Sequence, residues 1–207
     1  MKYADIKREV LSHLNQYSIA GTPIAISYNN QADYLARIPQ LMNEALVNIL
    51  TLVKREPVVF ALNMAGFEDY GDMARYELPH DFHSLKSGGV SVLSNGRFKT
   101  TNNYRLQGKK YILVPKDEAD NYTVEYYRYP NLLPSDPKDT FELVEDIEVI
   151  QTATYYAAAG LVMYDDEHAY ACLYNDYESR LARIGPGVST EVQPVQDAYH
   201  FGAGWWG

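Results

Sequence analysis

Asp33-Tyr34-Leu35-Ala36-Arg37-Ile38-Pro39-Gln40-Leu41-Met42-Asn43-Glu44-Ala45-Leu46 holds the apolar seam from which the rest of the chain can be organised. Leu35, Ile38, Met42, Ala45, Ile49 and Leu52 recur at steps of three and four, the spacing that returns side chains to one face of an α-helix. The pattern predicts a long helix that starts after Asn29-Asn30. Pro39 falls inside it and removes a backbone donor, so the spacing predicts either a kink between Asp33 and Pro39 or a helix that begins at Pro39. Lys54 and Arg55 suit the last turn, where cations meet the negative end of the helix dipole, and Pro57 bars extension.

Upstream, Tyr3, Ile6, Val10, Leu14 and Tyr17 share one face of a first amphipathic helix. Gly21-Thr22-Pro23 ends it, and Ile24 to Tyr28 reads as an extended linker. Downstream, from Val58, β-branched and aromatic residues alternate with polar ones between turn signals. Val90 and Val92 follow Gly88-Gly89. Tyr104 to Gln107 and Lys110 to Val114 flank Gly108-Lys109, which suits a two-residue hairpin turn. Tyr122, Val124 and Tyr126 alternate with Thr123, Glu125 and Tyr127. About four to six strands in roughly eighty residues predict a small sandwich or curled sheet. Pro130, Pro134 and Pro137 mark its exit.

Helical character returns near Phe141, with Glu142, Glu145, Asp146 and Glu148 expected around the first turns. Ile147, Ile150, Thr154, Ala157 or Ala158 and Leu161 form a seam of largely small residues, which permits close helix approach. Asp165-Asp166 interrupts it and can cap a further helix carrying Ala169, Cys172, Leu173, Tyr177, Leu181 and Ile184. Gly185-Pro186-Gly187 ends that helix. The remaining residues have no period, yet Tyr199, Phe201, Trp205 and Trp206 are spaced by Gly202, Gly204 and Gly207. Glycine gives such a tail freedom and aromatic rings give it adhesion, so Tyr199, Phe201, Trp205 and Trp206 are the candidate partner interface.

Two of these segments carry a family likeness. Asp33 to Leu46, with its acidic-aromatic-Leu start, Ile-Pro-x-Leu step and Asn-Glu-Ala continuation, resembles an early helix of the head-to-tail connector adaptors of tailed bacteriophages. Val149-Ile150-Gln151-Thr152-Ala153-Thr154-Tyr155-Tyr156-Ala157-Ala158-Ala159-Gly160-Leu161, running into Tyr164-Asp165-Asp166-Glu167-His168-Ala169 and Leu173-Tyr174-Asn175-Asp176-Tyr177-Glu178, resembles the same family near its C-terminus. Between them, Tyr76-Glu77-Leu78-Pro79-His80-Asp81-Phe82 matches a step that often opens the β-rich middle of such proteins. The resemblance implies a structural protein of the virion neck, assembled in the host cytoplasm. Its partners would be the portal protein, a tail or second adaptor protein, and copies of itself in a ring, typically dodecameric. DNA would pass through the ring without specific binding.

Composition is compatible with that expectation and excludes others. Hydrophobic content of 46% with 22% charged residues is that of a folded chain. Eighteen basic against 27 acidic residues give a formal charge of −9, which argues against a protein that grips phosphates and suits a wall past which DNA slides. The single cysteine, Cys172, excludes an internal disulfide and reads as a buried small hydrophobe. No apolar stretch approaches the ~20 residues of a membrane span, and no signal-peptide run opens the chain, so Asn121-Tyr122-Thr123 reads as an accidental glycosylation match.

Catalysis and cofactor binding have no sequence candidate: nucleophile elbow, phosphate loop, dinucleotide fingerprint and His-Glu-x-x-His pair are all missing. Asp165-Asp166-Glu167-His168 gathers metal-type ligands, but adjacent helical residues point about 100° apart, so a capped corner is the preferred reading. His80 and His83 could meet zinc on one turn, yet surface histidines are the simpler outcome. Nineteen tyrosines invite three readings: subunit packing, carbohydrate contact, or base stacking at Tyr126-Tyr127-Arg128-Tyr129 and Tyr155-Tyr156. Subunit packing is preferred, and a carbohydrate-binding module on a tail or capsid is the distinct alternative.

The expected fold is therefore α+β. Residues 1–57 and 141–184 build one helical core, 58–140 form an inserted β-rich domain, and 185–207 form an extended tail.

Overall fold

A computed structural model of the chain describes residues 1–16, 28–62, 66–94, 97–117 and 122–185. Among these residues, four α-helices and eight strands make an α+β fold in which the strands lie between the second and third helices: α1 (Tyr3–Gln16), α2 (Tyr28–Asn48), β1 (Pro57–Ala61), β2 (Phe67–Tyr70), β3 (Met73–Glu77), β4 (Phe82–Ser94), β5 (Arg97–Thr100), β6 (Arg105–Gln107), β7 (Tyr111–Pro115), β8 (Tyr122–Arg128), α3 (Ile147–Val162) and α4 (Glu167–Ile184).

The helices share one apolar core. Tyr3, Ile6, Val10 and Leu14 of α1 are buried with Ile38, Met42, Ala45 and Leu46 of α2. Tyr17 lies outside the described residues. α2 runs without a break through Pro39, which is itself buried, so the helix does not begin at that proline. Its seam ends differently from the expected one. Ile49–Val53 form a π-helical turn closed by Lys54 N–H donating to the Ile49 carbonyl at 2.8 Å. A wider turn no longer returns a side chain to the same face after three residues, so Leu50 and Thr51 are buried while Leu52 is 67% exposed. Arg55 donates to the Thr51 carbonyl at 2.7 Å, meeting a carbonyl that the ending helix leaves open.

α3 begins at Ile147, later than the expected position near Phe141. Its N-cap is Asp146, whose carboxylate accepts from Glu148 N–H at 2.9 Å. Residues 129–146 lead to it as irregular chain, because the extreme N-terminus zips to them in place of a helical turn. Tyr3 N–H donates to the Phe141 carbonyl and Leu143 N–H to the Met1 carbonyl, at 2.8 and 2.9 Å. α3 is apolar nearly all round and becomes the central helix, packed by α1, α2 and α4. Ile147, in its first turn, is half exposed. Gly160 lets α3 pack closely on Leu41 of α2: a Cβ there would sit 2.8 Å from Leu41 Cδ2. Asp166 caps α4 by accepting from Ala169 N–H at 2.9 Å. Ala169, Leu173 and Tyr177 form its buried stripe, which leaves Cys172 on the flank, only half-buried, rather than in the core.

The strands form two four-stranded antiparallel sheets, β1-β8-β4-β5 and β2-β3-β7-β6. Their inner faces meet over Ala74, Tyr76, Ile112, Val114, Val90, Val124 and Tyr126, so the inserted region is a sandwich with its own core. The Leu78-Pro79-His80-Asp81 step does not open it. The step crosses from one sheet to the other, with Phe82 N–H donating to the Pro79 carbonyl at 2.9 Å. The strand count exceeds the expected four to six because a short acidic hairpin, β2 to β3, turns on Gly71-Asp72 with Gly71 at φ +66°. The β6 to β7 turn is one residue longer than expected, since Gln107 pairs with Tyr111 and leaves three residues in the loop. Gly88-Gly89 does not start a strand either. It is a bulge inside β4, where the four residues between Leu85 and Val90 face Glu125 alone. A Cβ on Gly89 would lie 2.3 Å from the Glu125 carbonyl oxygen, so glycine is required there.

Candidate functional site

The expected interface residues Tyr199, Phe201, Trp205 and Trp206 lie outside the described residues, as does the rest of the segment after Gly185. What can be built from the residues upward is the surface around the two segments that carry the family likeness, and the joint that fixes the sandwich to it.

At that surface α2, α3 and the α3–α4 corner meet. Arg37 donates to the Gly160 carbonyl at 3.1 Å, close to where Leu41 fills the notch left by the glycine. Tyr34 donates its hydroxyl to Asp165 at 2.7 Å, and burial with that carboxylate pushes the phenol up to about 12. Asp165 and Asp166 thus hold the corner, one through Tyr34 and the other as a cap. Among the described residues no group of three or more His, Cys, Asp or Glu side chains could hold a metal ion. Beyond the corner, Met163 and Tyr164 are 47% and 85% exposed, beside exposed Glu167 and His168. His168 Nε2 lies 3.8 Å from Cys172 Sγ one helical turn on.

Along α2 runs a groove of about 700 Å³, lined by Ala36, Pro39, Gln40 and Asn43 with Ser135 and Tyr156 opposite. Tyr156 begins an aromatic ladder across α3 and α4, with ring centroids 5.3 Å apart to Tyr177, 5.8 Å from there to Tyr174 and 5.6 Å from there to Tyr170. Asn43, in the groove's lining, also holds the exit chain. Its side-chain amide donates to the Leu133 carbonyl and accepts from Leu133 N–H, both at 2.8 Å, reading the exit chain as a strand would.

The joint is built from two ion pairs, one for each passage of the chain between helices and sandwich. Lys54, where the chain leaves the helices, donates to Asp146 at 2.6 Å and holds that carboxyl below its ordinary value. Arg128, at the end of β8, meets Glu145 through two parallel bonds of 3.0 and 2.7 Å. Glu145 also accepts from Asn131 N–H at 2.7 Å, and its side chain is only 2% exposed, so a buried carboxylate is fully engaged at the hinge point. Nothing in the spacing of Arg128 and Glu145 singles them out in the sequence.

Four of the five tyrosines weighed as base-stacking platforms are engaged by neighbouring side chains, and the fifth, Tyr156, lines the groove. Tyr126 points into the sandwich and donates to Asp81 at 2.9 Å. The Arg55 guanidinium lies over Tyr127, and Tyr129 is flanked by His83 and Lys109. Tyr155 is buried between His13, stacked at 3.8 Å, and Arg180, whose guanidinium is 4.3 Å from the ring centre. His83 is pushed below its usual value by burial and by nearby Lys109 and Arg55, and its Nδ1 lies 3.0 Å from Ser84 Oγ.

Charge is divided unevenly. Residues 57–130 contain nine cations and nine carboxylates, so the whole formal charge of −9 belongs to the helices, their connections and the tail. Among the described residues no helix is long and apolar enough to cross a membrane. No family model matches the chain, and no curated protein matches it.

Proposed function

We propose that the protein is a head-to-tail adaptor of a tailed bacteriophage: a structural subunit that joins a ring beneath the portal, extends the DNA channel, helps retain the packaged genome and offers a platform to the tail. The observation that carries this reading is the meeting of the two likeness-bearing segments. Tyr34 and Asp165 are 131 residues apart in sequence and hydrogen-bonded in space, in the same contact region as Leu41 and Gly160. Segments far apart in the chain thus contribute to one surface, as the resemblance implies. The formal negative charge lying outside the neutral sandwich is compatible with the same reading, since carboxylates repel the phosphate backbone and let it slide. In this role the protein has no catalytic step. Its partners are the portal, a tail or second adaptor protein, and further copies of itself, and it resides in the virion neck.

Electron microscopy of the protein mixed with the portal ring encoded in the same genome tests the proposal. A second ring stacked on the portal, lost when Tyr199 to Gly207 are deleted, is the expected result. Bare portals beside folded protein would overturn it.

The carbohydrate-binding alternative has one observation in its favour, a polar and aromatic outer face on the second sheet where Arg75 sits between Tyr70 and Tyr111. The same geometry counts against it, because the guanidinium, 4.6 Å from the Tyr111 ring centre, already covers a face a sugar would need. Binding of the full chain to a glycan array, lost in Tyr70→Ala, would restore this alternative.

A further inference from the structure

β5 and β6 are the outer strands of the two sheets, and residues 101–104 alone connect them, so both open edges lie on the same side of the sandwich. Every residue of both strands is exposed. The run from Arg97 to Lys110 has five cations and no carboxylate. Arg97, Lys99 and Arg105 have no ion-pair partner among the described residues, although most other cations of the sandwich are paired. Apolar surface adjoins this charge on the other face of the edge: Phe98 is 61% exposed and sits directly opposite Leu93, itself 37% exposed, on the outer face of its sheet, whereas Lys99 and Arg97 share the face of Val92. Lysine on an edge strand also discourages unwanted strand addition, but charge of either sign would serve that purpose, whereas this edge is of one sign throughout.

The α3–α4 corner is its complement. Tyr164 and Met163 stand out from the surface, and Asp165, Asp166 and Glu167 follow them without a cation in between. Within a single chain the two surfaces do not cover each other, since Phe98 and Tyr164 both face solvent.

We infer that the β5–β6 edge of one copy receives the α3–α4 corner of the next, which straddles it, with Tyr164 on the outer face against Phe98 and Leu93, and the carboxylates against the long side chains of Arg97, Lys99 and Arg105 along the rim. Such a contact joins two different patches, so it propagates head to tail and yields a ring where the rotation closes. Charge selects the pairing and its direction, and the aromatic contact slows its dissociation. The inference deepens the adaptor reading and rests on it only for closure into a ring.

The test is analytical ultracentrifugation of the full chain at low ionic strength and micromolar to high micromolar concentration, with three variants. Arg97→Glu/Arg105→Glu removes the edge, Tyr164→Ser/Glu167→Lys removes the corner, and Lys138→Glu, an exposed charge reversal elsewhere, is the control. None of the altered side chains is in the described cores, and melting curves confirm folding. Wild type and control are expected to self-associate, about tenfold more weakly when salt is raised to screen the pairs. Each interface variant alone should be monomeric. An equimolar mixture of the two should form dimers and stop there, because only one edge and one corner survive. A monomeric wild type at every concentration, association that both variants retain, or a mixture that stays monomeric would each overturn the inference. Edge-dependent binding of duplex DNA without self-association would overturn it in favour of phosphate contact. Portal-bound rings that admit the edge variant would sink this contact and leave the adaptor intact, whereas lost self-association beside bare portals would do the reverse.

Discussion

The helical core draws its side chains from both ends of the chain, whereas the sandwich closes on residues 57–128 alone. The first sets a run of small residues on α3 among branched and aromatic side chains; the second buries mainly branched and aromatic residues within a segment of no net charge, so the formal charge of −9 lies outside it. Two cores built so differently do not merge. They are held by the polar joint of Lys54, Arg128, Asn131, Glu145 and Asp146. The difference teaches that relative placement here depends on a few charged groups, while each half depends on its own apolar packing.

Breaking that joint should have the largest effect. Glu145→Ala leaves Arg128 and Asn131 without their acceptor and is expected to cost about 3 kcal/mol. Calorimetry should show one melting transition for the wild type and separate helical and sandwich transitions for the variant. If the variant still melts in one step, the halves are coupled by packing and the comparison fails. Gly89→Ala acts on the sandwich only. Its methyl meets the Glu125 carbonyl in the β4 bulge, and the expected loss is about 2 kcal/mol, read as a lower melting temperature with the helical circular dichroism retained just above it.

Asp146→Ala should cost about 1 kcal/mol, because α3 loses its cap and Lys54 the nearer of its two carboxylate partners. The pH dependence follows from the lowered carboxyl. A group with a depressed folded value stabilises fully above its unfolded value, so the contribution is present above about pH 4 and disappears on acidification below it. Denaturant titrations of wild type and variant should therefore converge in acid. If the gap between them stays constant down to pH 2, Lys54 does not act through charge.

Alkali distinguishes the halves without a mutation and changes nothing at neutral pH. Burial pushes Tyr34 and Tyr177 of the helices, and Tyr126 of the sandwich, up to about 12. A raised folded value means that stability is complete below the unfolded value near 10 and is lost as pH rises toward 12. With two such groups against one, the helical signal should fail before the strand signal in a circular dichroism titration. The reverse order would show that other groups control alkaline unfolding.

Some of this was legible in the chain from local pattern alone. The α1 and α2 seams, the Asp166 cap and the alternation of β8 each rest on the period of a single element, and period is a property of contiguous residues. The α+β class followed from where that period changes. Leu52 and the start of α3 were misread because their outcome depends on partners distant in sequence: a π turn closing α2, and an N-terminus that takes the Phe141 region into main-chain pairing. The β4 bulge was read as a strand start for a similar reason, since glycine marks both, and only the Glu125 carbonyl across the sheet distinguishes them.

Candidate site residues divide the same way. The aromatic tail was nominated from composition, and it lies outside the described residues, so nothing in the fold bears on it. The Arg128–Glu145 fork, the Asn43 clamp on Leu133, and the shared side of β5 and β6 had no sequence signal. Each pairs ordinary polar residues, and their meaning comes from what lies opposite. By itself the sequence determined the elements, their apolar faces and the segregation of charge, because these depend on the identity and spacing of neighbouring residues. The tertiary structure alone decided which polar groups meet across the joint and which edge is left open, because those are matters of distance between residues that the chain keeps far apart.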